Sequence, residues 1–370
     1  MRIACLKERA AGEARVALSP ETAKKFIALG AVVAVESGAG ETASISDEQY
    51  REAGAEVGAA EAAVKGADIV LGVQAPDVAL LKGANAGAWV AATFDPFQQG
   101  DRVEAYAKAG FEALAMEFMP RITRAQSMDV LSSQANLAGY KAVITAADEY
   151  GRAFPMMMTA AGTVQAARCF VMGVGVAGLQ AIATAKRLGA QVSATDVRPE
   201  TAEQIASLGA KAVFAEDLEA SGDGGYAAEL TDEQKAKQAE LVSSHIAKQD
   251  IVITTALIPG RAAPRLVSDD QIATMKPGSV IFDLAVVQGG NVEGSKPDET
   301  VIKHGVKIIG YANTPATLAP DTSALFARNH YNFLSAFWDK EAGKPVLDEE
   351  IGDAVRLTQG GKVVHERLKA

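Results

Sequence analysis

Histidine is almost missing from this chain. The 370 residues contain four, and the first of them is His245, so everything before it lacks the side chain that most often moves protons near neutral pH. Cysteine is scarcer still. Cys5 and Cys169 sit in apolar, strand-like runs without metal-ligand spacing, so they read as buried thiols of a reducing compartment and no metal site is expected. Aromatics make up only 6% while Gly and Ala are frequent, which suits tightly packed α/β units better than a β-sandwich. Positive charge is also short: Lys and Arg number 36 against 46 Asp and Glu, a net charge of −10 with no long basic run. Nucleic acid is thereby excluded as a partner, because phosphate binding needs clustered cations. The N-terminus has no apolar signal region, and the longest nearly uncharged run, Cys169 to Ala185, has glycines in a strand–turn–helix pattern. No direct membrane span is expected.

What is present is a repeated unit, a helix ended by Gly and followed at once by a strand. It occurs in "ALGAVVAVE", "KAGFEALAME", "RLGAQVSATD", "SLGAKAVF" and "KHGVKIIGY". Gly30, Gly110, Gly189, Gly209 and Gly305 are expected at the left-handed cap position. Helix starts are marked by Ser19-Pro20-Glu21 and by the capping-box spacings Ser46/Gln49, Thr123/Gln126, Thr231/Gln234 and Ser268/Gln271. Such alternation in a chain of this length predicts an α/β protein of two doubly wound, parallel-sheet (Rossmann-like) domains. Residues 216–238, with Gly222, Gly224 and Gly225, are expected to be the least regular stretch.

The segment 168–198, "RCFVMGVGVAGLQAIATAKRLGAQVSATDVR", carries chemistry. An apolar strand runs into Gly173-x-Gly175-x-x-Gly178, a helix follows, and a second strand ends at Asp196. The first glycine permits a tight turn, the second lets backbone approach a pyrophosphate, and the third lets helix pack on strand. The helix N-terminus then favours the phosphates. Asp196 has the spacing of a carboxylate that meets the ribose hydroxyls, which argues for NAD over NADP; Arg198 pulls the other way, since an arginine there can take a 2′-phosphate. The strand ends "ITTALIPG" (253–260) and "VIFDLAVVQGGN" (280–291) offer further contacts, with Leu257 against a base or ribose. Asp283 fits either a supporting acid or a solvent-facing strand end.

A second polar group lies in "MPRITRAQSMDVLSSQANLAGYKAV" (119–143), where Arg121, Arg124, Gln126, Asp129 and Ser132 surround the start of a long helix with no histidine or cysteine near. Two readings stand: a helix cap with an ordinary surface ion pair, or a group that orients a ligand without acid–base chemistry.

With these stretches side by side, and with "TTALIPG" and "MKPGSVIFDLA", the chain resembles the NAD(H)-binding component (the alpha subunit, domain I) of proton-translocating NAD(P) transhydrogenase, from "KER…RVALSP" to about Asn332. The resemblance implies that Arg121, Gln126, Ser127, Met128, Asp129 and Ser132 hold the nicotinamide end. It implies Val176 in the phosphate turn, and Asp196, Val197 and Arg198 at the adenosine ribose. Gly225 and Tyr226 correspond to the tip of a mobile loop that closes over the nucleotide, and Gln238 and Leu257 to further contacts. It also implies a homodimer, an NADP(H) site on a partner subunit, membrane-spanning partner subunits, and a position on the cytoplasmic face of the inner membrane. The N-terminal domain (1–131) is expected to be completed by residues 320–370, with 132–319 as the nucleotide domain.

The related alanine dehydrogenase pattern shares the opening, including Arg15 at a substrate-carboxylate position, but adds a Lys near 74 and a His near 92–96. Here those places read "VQAPD" and "AATFDPF". A keto-acid reduction needs such a donor, whereas hydride passing between two nicotinamides needs only orientation.

Overall fold

The computed structural model describes residues 1–215, 232–258 and 260–369, without the side chains of Asp232 and Lys235. Of the stretch expected to be least regular, 232–238 begin a helix; the remainder, with Gly225 and Tyr226, lies outside the described residues. The chain forms two compact units, Met1–Gln134 with Pro315–Ala370, and Ala135–Thr314.

In the first unit, strands β1 (Arg2–Cys5), β2 (Val32–Glu36), β3 (Glu56–Gly58), β4 (Ile69–Gln74), β5 (Trp89–Thr93) and β6 (Glu112–Ala115) form one sheet in the order β3-β2-β1-β4-β5-β6, parallel throughout. Helices α1 (Pro20–Ala28), α2 (Asp47–Glu52), α3 (Ala60–Val64) and α4 (Gly100–Lys108) connect the strands. Both faces are covered, as parallel sheets require. Ile3 and Cys5 of β1 enter one apolar cluster with Phe26 and Tyr50, while Ala4 enters another with Val70, Phe94 and Tyr106. Phe326 and Phe333 belong to the first cluster, so the C-terminal segment supplies core to this unit. Burial pushes the Cys5 thiol up, out of the reactive range.

A helix runs over Val130–Glu149 (α5), so the division between the units falls inside a helix, after Gln134, rather than in a loop. The second unit continues with a short hairpin, β7 (Met157–Thr159) and β8 (Gly162–Val164). Its sheet is built from β9 (Arg168–Met172), β10 (Gln191–Thr195), β11 (Lys211–Ala212), β12 (Ile251–Thr254), β13 (Val280–Asp283), β14 (Glu299–Lys303) and β15 (Val306–Gly310), in the order β11-β10-β9-β12-β13-β15-β14. Its helices are α6 (Val176–Arg187), α7 (Ala202–Ser207), α8 (Asp232–Ile246) and α9 (Asp269–Thr274), and in the first unit α10 (Ala319–Ala336) and α11 (Glu349–Val355) follow. Cys169 is fully buried in β9, its thiol pushed up to about 12 by burial.

Two local expectations are corrected. Gly305 does not end a helix: β14 pairs antiparallel with β15, and His304 (φ 50°) with Gly305 (φ 80°) makes the two-residue turn between them. Two successive positive φ angles are what a tight hairpin of this twist needs. Thr123 is not a helix cap either. Residues Thr123–Met128 form a 3-10 turn that no side chain caps, and the cap of the long helix is Asp129. The boxes at Ser46/Gln49 and Ser268/Gln271 are formed, and Ser19 caps α1 with Thr22 as its partner.

Candidate functional site

In the second unit the sheet order reverses between β9 and β12, and ligands of such sheets lie beyond the strand ends at that point. Here β9 runs into Gly173, whose φ of 99° bends the chain and whose N–H donates to the Thr195 carbonyl at 2.9 Å. A Cβ on Gly178 would stand 1.9 Å from the Gly173 oxygen, so only glycine lets α6 sit this close to the turn. At Gly175 a Cβ would meet nothing within 4 Å. That position is free of protein contact and leaves backbone open to a ligand. No side chain caps α6, so its first N–H groups and dipole remain available for an anion. The three glycines thus divide the work as their spacing suggested.

Asp196, at the end of β10, is nearly buried and heavily engaged. Its Oδ2 accepts from Val174 N–H at 2.6 Å and its Oδ1 from Arg198 N–H and Nε at 3.0 and 2.9 Å. Burial alone would raise its pKa, but the Arg198 and Val174 donors prevail and hold the carboxyl below the usual range. The Arg198 guanidinium neutralises the acid from the exposed side. Around this edge Val176, Val197, Leu257 and Ile258 are exposed, Val197 at 78%. Apolar side chains left open at three adjacent strand ends are unusual, and they offer flat contact to a base or ribose.

Gln238 from α8 uses its amide within the protein, donating to Thr195 Oγ1 at 3.0 Å and accepting from Ala215 N–H at 2.8 Å. It braces the ends of β10 and β11. Asp283 matches neither of its two readings. It is fully buried and accepts from Ala285 N–H at 2.9 Å and Ser295 Oγ at 2.7 Å. Sequence reading missed Asn291, also fully buried, whose amide donates to the carbonyls of Ala256 and Pro264 and accepts from Ala256 N–H. It shapes the loop that carries Leu257; the only signal was its place in "QGGN".

The first unit holds the other group. The carboxylate of Asp129 accepts from Ser132 N–H at 3.0 Å and Ser132 Oγ at 2.5 Å, capping α5. Arg124 pairs with Asp348 at 2.6 Å and with Glu350. The cap-and-ion-pair reading therefore describes these three residues. Met128 is 4% exposed and belongs to the core. Arg121, Gln126 and Ser127 are exposed, and among the described residues the Arg121 and Gln126 side chains make no hydrogen bond or ion pair. They are the groups of this segment left to meet a ligand. Nearby, Arg15 is buried against Glu13 and donates Nη1 to Gln134 Oε1 at 2.8 Å. Gln74, where the dehydrogenase pattern has lysine, donates to Glu13 Oε2 at 3.2 Å.

Two family models match the chain: alanine dehydrogenase/PNT, N-terminal domain, over residues 4–138, and alanine dehydrogenase/PNT, C-terminal domain, over residues 142–366. The chain is 52% identical to the first portion of the NAD(P) transhydrogenase alpha subunit of Rhodospirillum rubrum, a separate chain there, covering 100% of this chain and 99% of that one. Alanine dehydrogenase of Halomonas elongata is 28% identical over 100% of this chain and 96% of that protein. The crystal structure of transhydrogenase from Sinorhizobium meliloti is similar at TM-score 0.91 and 52% identity, over 98% of this chain and 100% of that one. An L-alanine dehydrogenase structure gives 0.80 and 26% over 100% and 98%.

Proposed function

We propose, from the premise that this chain belongs to the alanine dehydrogenase/PNT family, that it is the NAD(H)-binding subunit of a proton-translocating NAD(P) transhydrogenase. NADP(H) is held on a partner subunit, and hydride passes directly between the two nucleotides. The observation that carries this reading is a pairing of features. The second unit has an open glycine turn with an uncapped helix behind it, and the polar segment of the first unit offers Arg121 and Gln126, uncommitted among the described residues and with no acid–base partner.

The dinucleotide supplies the hydride chemistry; the chain binds and orients. In this reading the Gly175 backbone and the α6 N-terminus hold the pyrophosphate, Asp196 and Arg198 the adenosine ribose, and Val176, Val197 and Leu257 the apolar faces. Arg121 and Gln126 hydrogen-bond the nicotinamide end, with Asp129 and Ser132 fixing the start of α5 beside them. No general acid is required, because no oxygen or nitrogen changes protonation when a hydride moves between carbons. Gly225, Tyr226 and Gln238 keep the roles that the family implies.

No described helix is long and apolar enough to cross a membrane, so proton movement is assigned to membrane-spanning partner subunits. This chain would dock to them on the cytoplasmic face as a homodimer. The dehydrogenase reading is disfavoured by Arg15, whose donors are directed to Glu13 and Gln134, and by Gln74. The test is a paired assay on the purified chain: NADH and NADPH binding by fluorescence, and NAD⁺ reduction with alanine and a panel of amino and hydroxy acids. NADH preference without turnover supports the proposal. Robust alanine-dependent reduction overturns it.

A further inference from the structure

The segment that carries Arg121 and Gln126 is irregular but for one 3-10 turn, yet orientation is the whole of its assigned task. Its last carbonyls are where such a turn is weakest, since they lack partners along the helix. One of them is held unusually well. The Ser127 oxygen accepts from Asn329 Nδ2 at 2.9 Å and from Asn332 Nδ2 at 3.0 Å. Residues three apart share a helix face, so α10 directs both amides at one atom. Asn329 is 6% exposed, and its Oδ1 accepts from Ser133 Oγ at 2.7 Å, which fixes the amide from behind and ties it to the first turn of α5.

One donor would satisfy the carbonyl. A second, from a partly exposed side chain, occupies the other lone pair and so fixes the plane of the Ser127–Met128 peptide. That peptide lies between Gln126 and Asp129. On the other side of the turn, Arg124 is tied to Asp348 and Glu350.

We infer that Asn329 and Asn332 are positioning residues for hydride transfer. They hold the 126–129 backbone, and through it the Gln126 side chain, in the orientation that transfer needs. This rests on the reading of 121–132 as the segment that holds the nicotinamide.

The first variants are Asn332→Ala and the isosteric Asn332→Asp, each in the complete enzyme with its membrane and NADP(H)-binding subunits. Misplacement of a reacting group by about 1 Å costs up to ~100-fold. The expected result is a fall of roughly 10- to 100-fold in kcat for transfer from NADH to NADP⁺, with KM for NADH and the melting temperature nearly unchanged, and with Asp worse than Ala because its oxygen faces the carbonyl. Transfer at the wild-type rate in both variants, or a loss only in step with loss of folded protein, overturns the proposal. Backbone amide exchange on the isolated chain is the independent arm. Faster exchange at 126–129 in Asn332→Ala, with α10 unaltered, supports the clamp; unchanged exchange overturns it. Should wild-type enzyme transfer no hydride, the function assigned above fails, while the exchange result still decides the clamp.

Discussion

Glu13 and Arg15 form a buried fork, with Nε to Oε1 and Nη2 to Oε2 both at 2.7 Å and side chains 1% and 7% exposed. Removing one partner of such a pair leaves a buried charge unpaired. Glu13→Ala is therefore expected to destabilise the first unit by about 3–5 kcal/mol, read from denaturant melts. A loss near 0–1 kcal/mol, as for a surface pair, would mean that water reaches Arg15.

The glycine turn allows a paired test. Gly175→Ala places a methyl where nothing lies within 4 Å, on a backbone that alanine accepts, so stability should change by less than about 1 kcal/mol. NADH affinity should fall at least about tenfold, or ~1.4 kcal/mol, because the methyl stands where the pyrophosphate approaches. Gly178→Ala meets the Gly173 oxygen at 1.9 Å and should destabilise by roughly 1–3 kcal/mol. Calorimetry with NADH titration separates the two, and unchanged affinity in Gly175→Ala would move the phosphate site elsewhere.

Asp196 is an acceptor already shared with Arg198, so its discrimination between nucleotides should be partial. Asp196→Ala frees the guanidinium and removes the charge that repels a 2′-phosphate. The ratio of NADPH to NADH dissociation constants should narrow by about tenfold, measured by fluorescence. An unaltered ratio would show that neither residue reads the ribose.

Glu117 adds a pH dependence of known sign. Burial pushes its carboxyl up to about 7 against backbone donors that lower it; its Oε1 accepts from Phe94 and Asp95 N–H at 2.6 and 2.7 Å. A carboxyl whose folded pKa exceeds its unfolded value of about 4.3 binds its proton more tightly when folded. It therefore weakens the fold as pH rises from about 4.3 to 7. Glu117→Gln keeps an oxygen for the N–H donors and removes the charge. Its melting temperature should exceed that of wild type at pH 8 and approach it at pH 5; the opposite trend would show an acid stabilised in its charged form.

Local signals explain how much of this was readable. Short apolar runs such as "IVLGV" and "CFVM", each preceded by a glycine cap or turn, mark parallel strands whose alternate residues enter opposite clusters. Gly173, Gly175 and Gly178 announce the turn because each meets a separate steric demand. What escaped was non-local or competitive. Asn329 and Asn332 reach Ser127 across about two hundred positions, which no window detects. Glu299–Lys303 could join a sheet in either direction, and the His304-Gly305 turn chose the antiparallel one. Thr123 had the spacing of a cap, but Asp129 stands directly before α5 and has Ser132 in reach.

The central claim is direct hydride transfer by orientation alone. The decisive measurement is isotope transfer in the chain reconstituted with its NADP(H)-binding and membrane subunits, starting from NADH deuterated at the transferred position of C4, in ordinary water. The account predicts that the deuterium appears in NADPH without dilution by solvent hydrogen. Solvent hydrogen in the product would contradict it, and would require a proton-exchanging group that Arg121, Gln126, Asp129 and Ser132 do not provide.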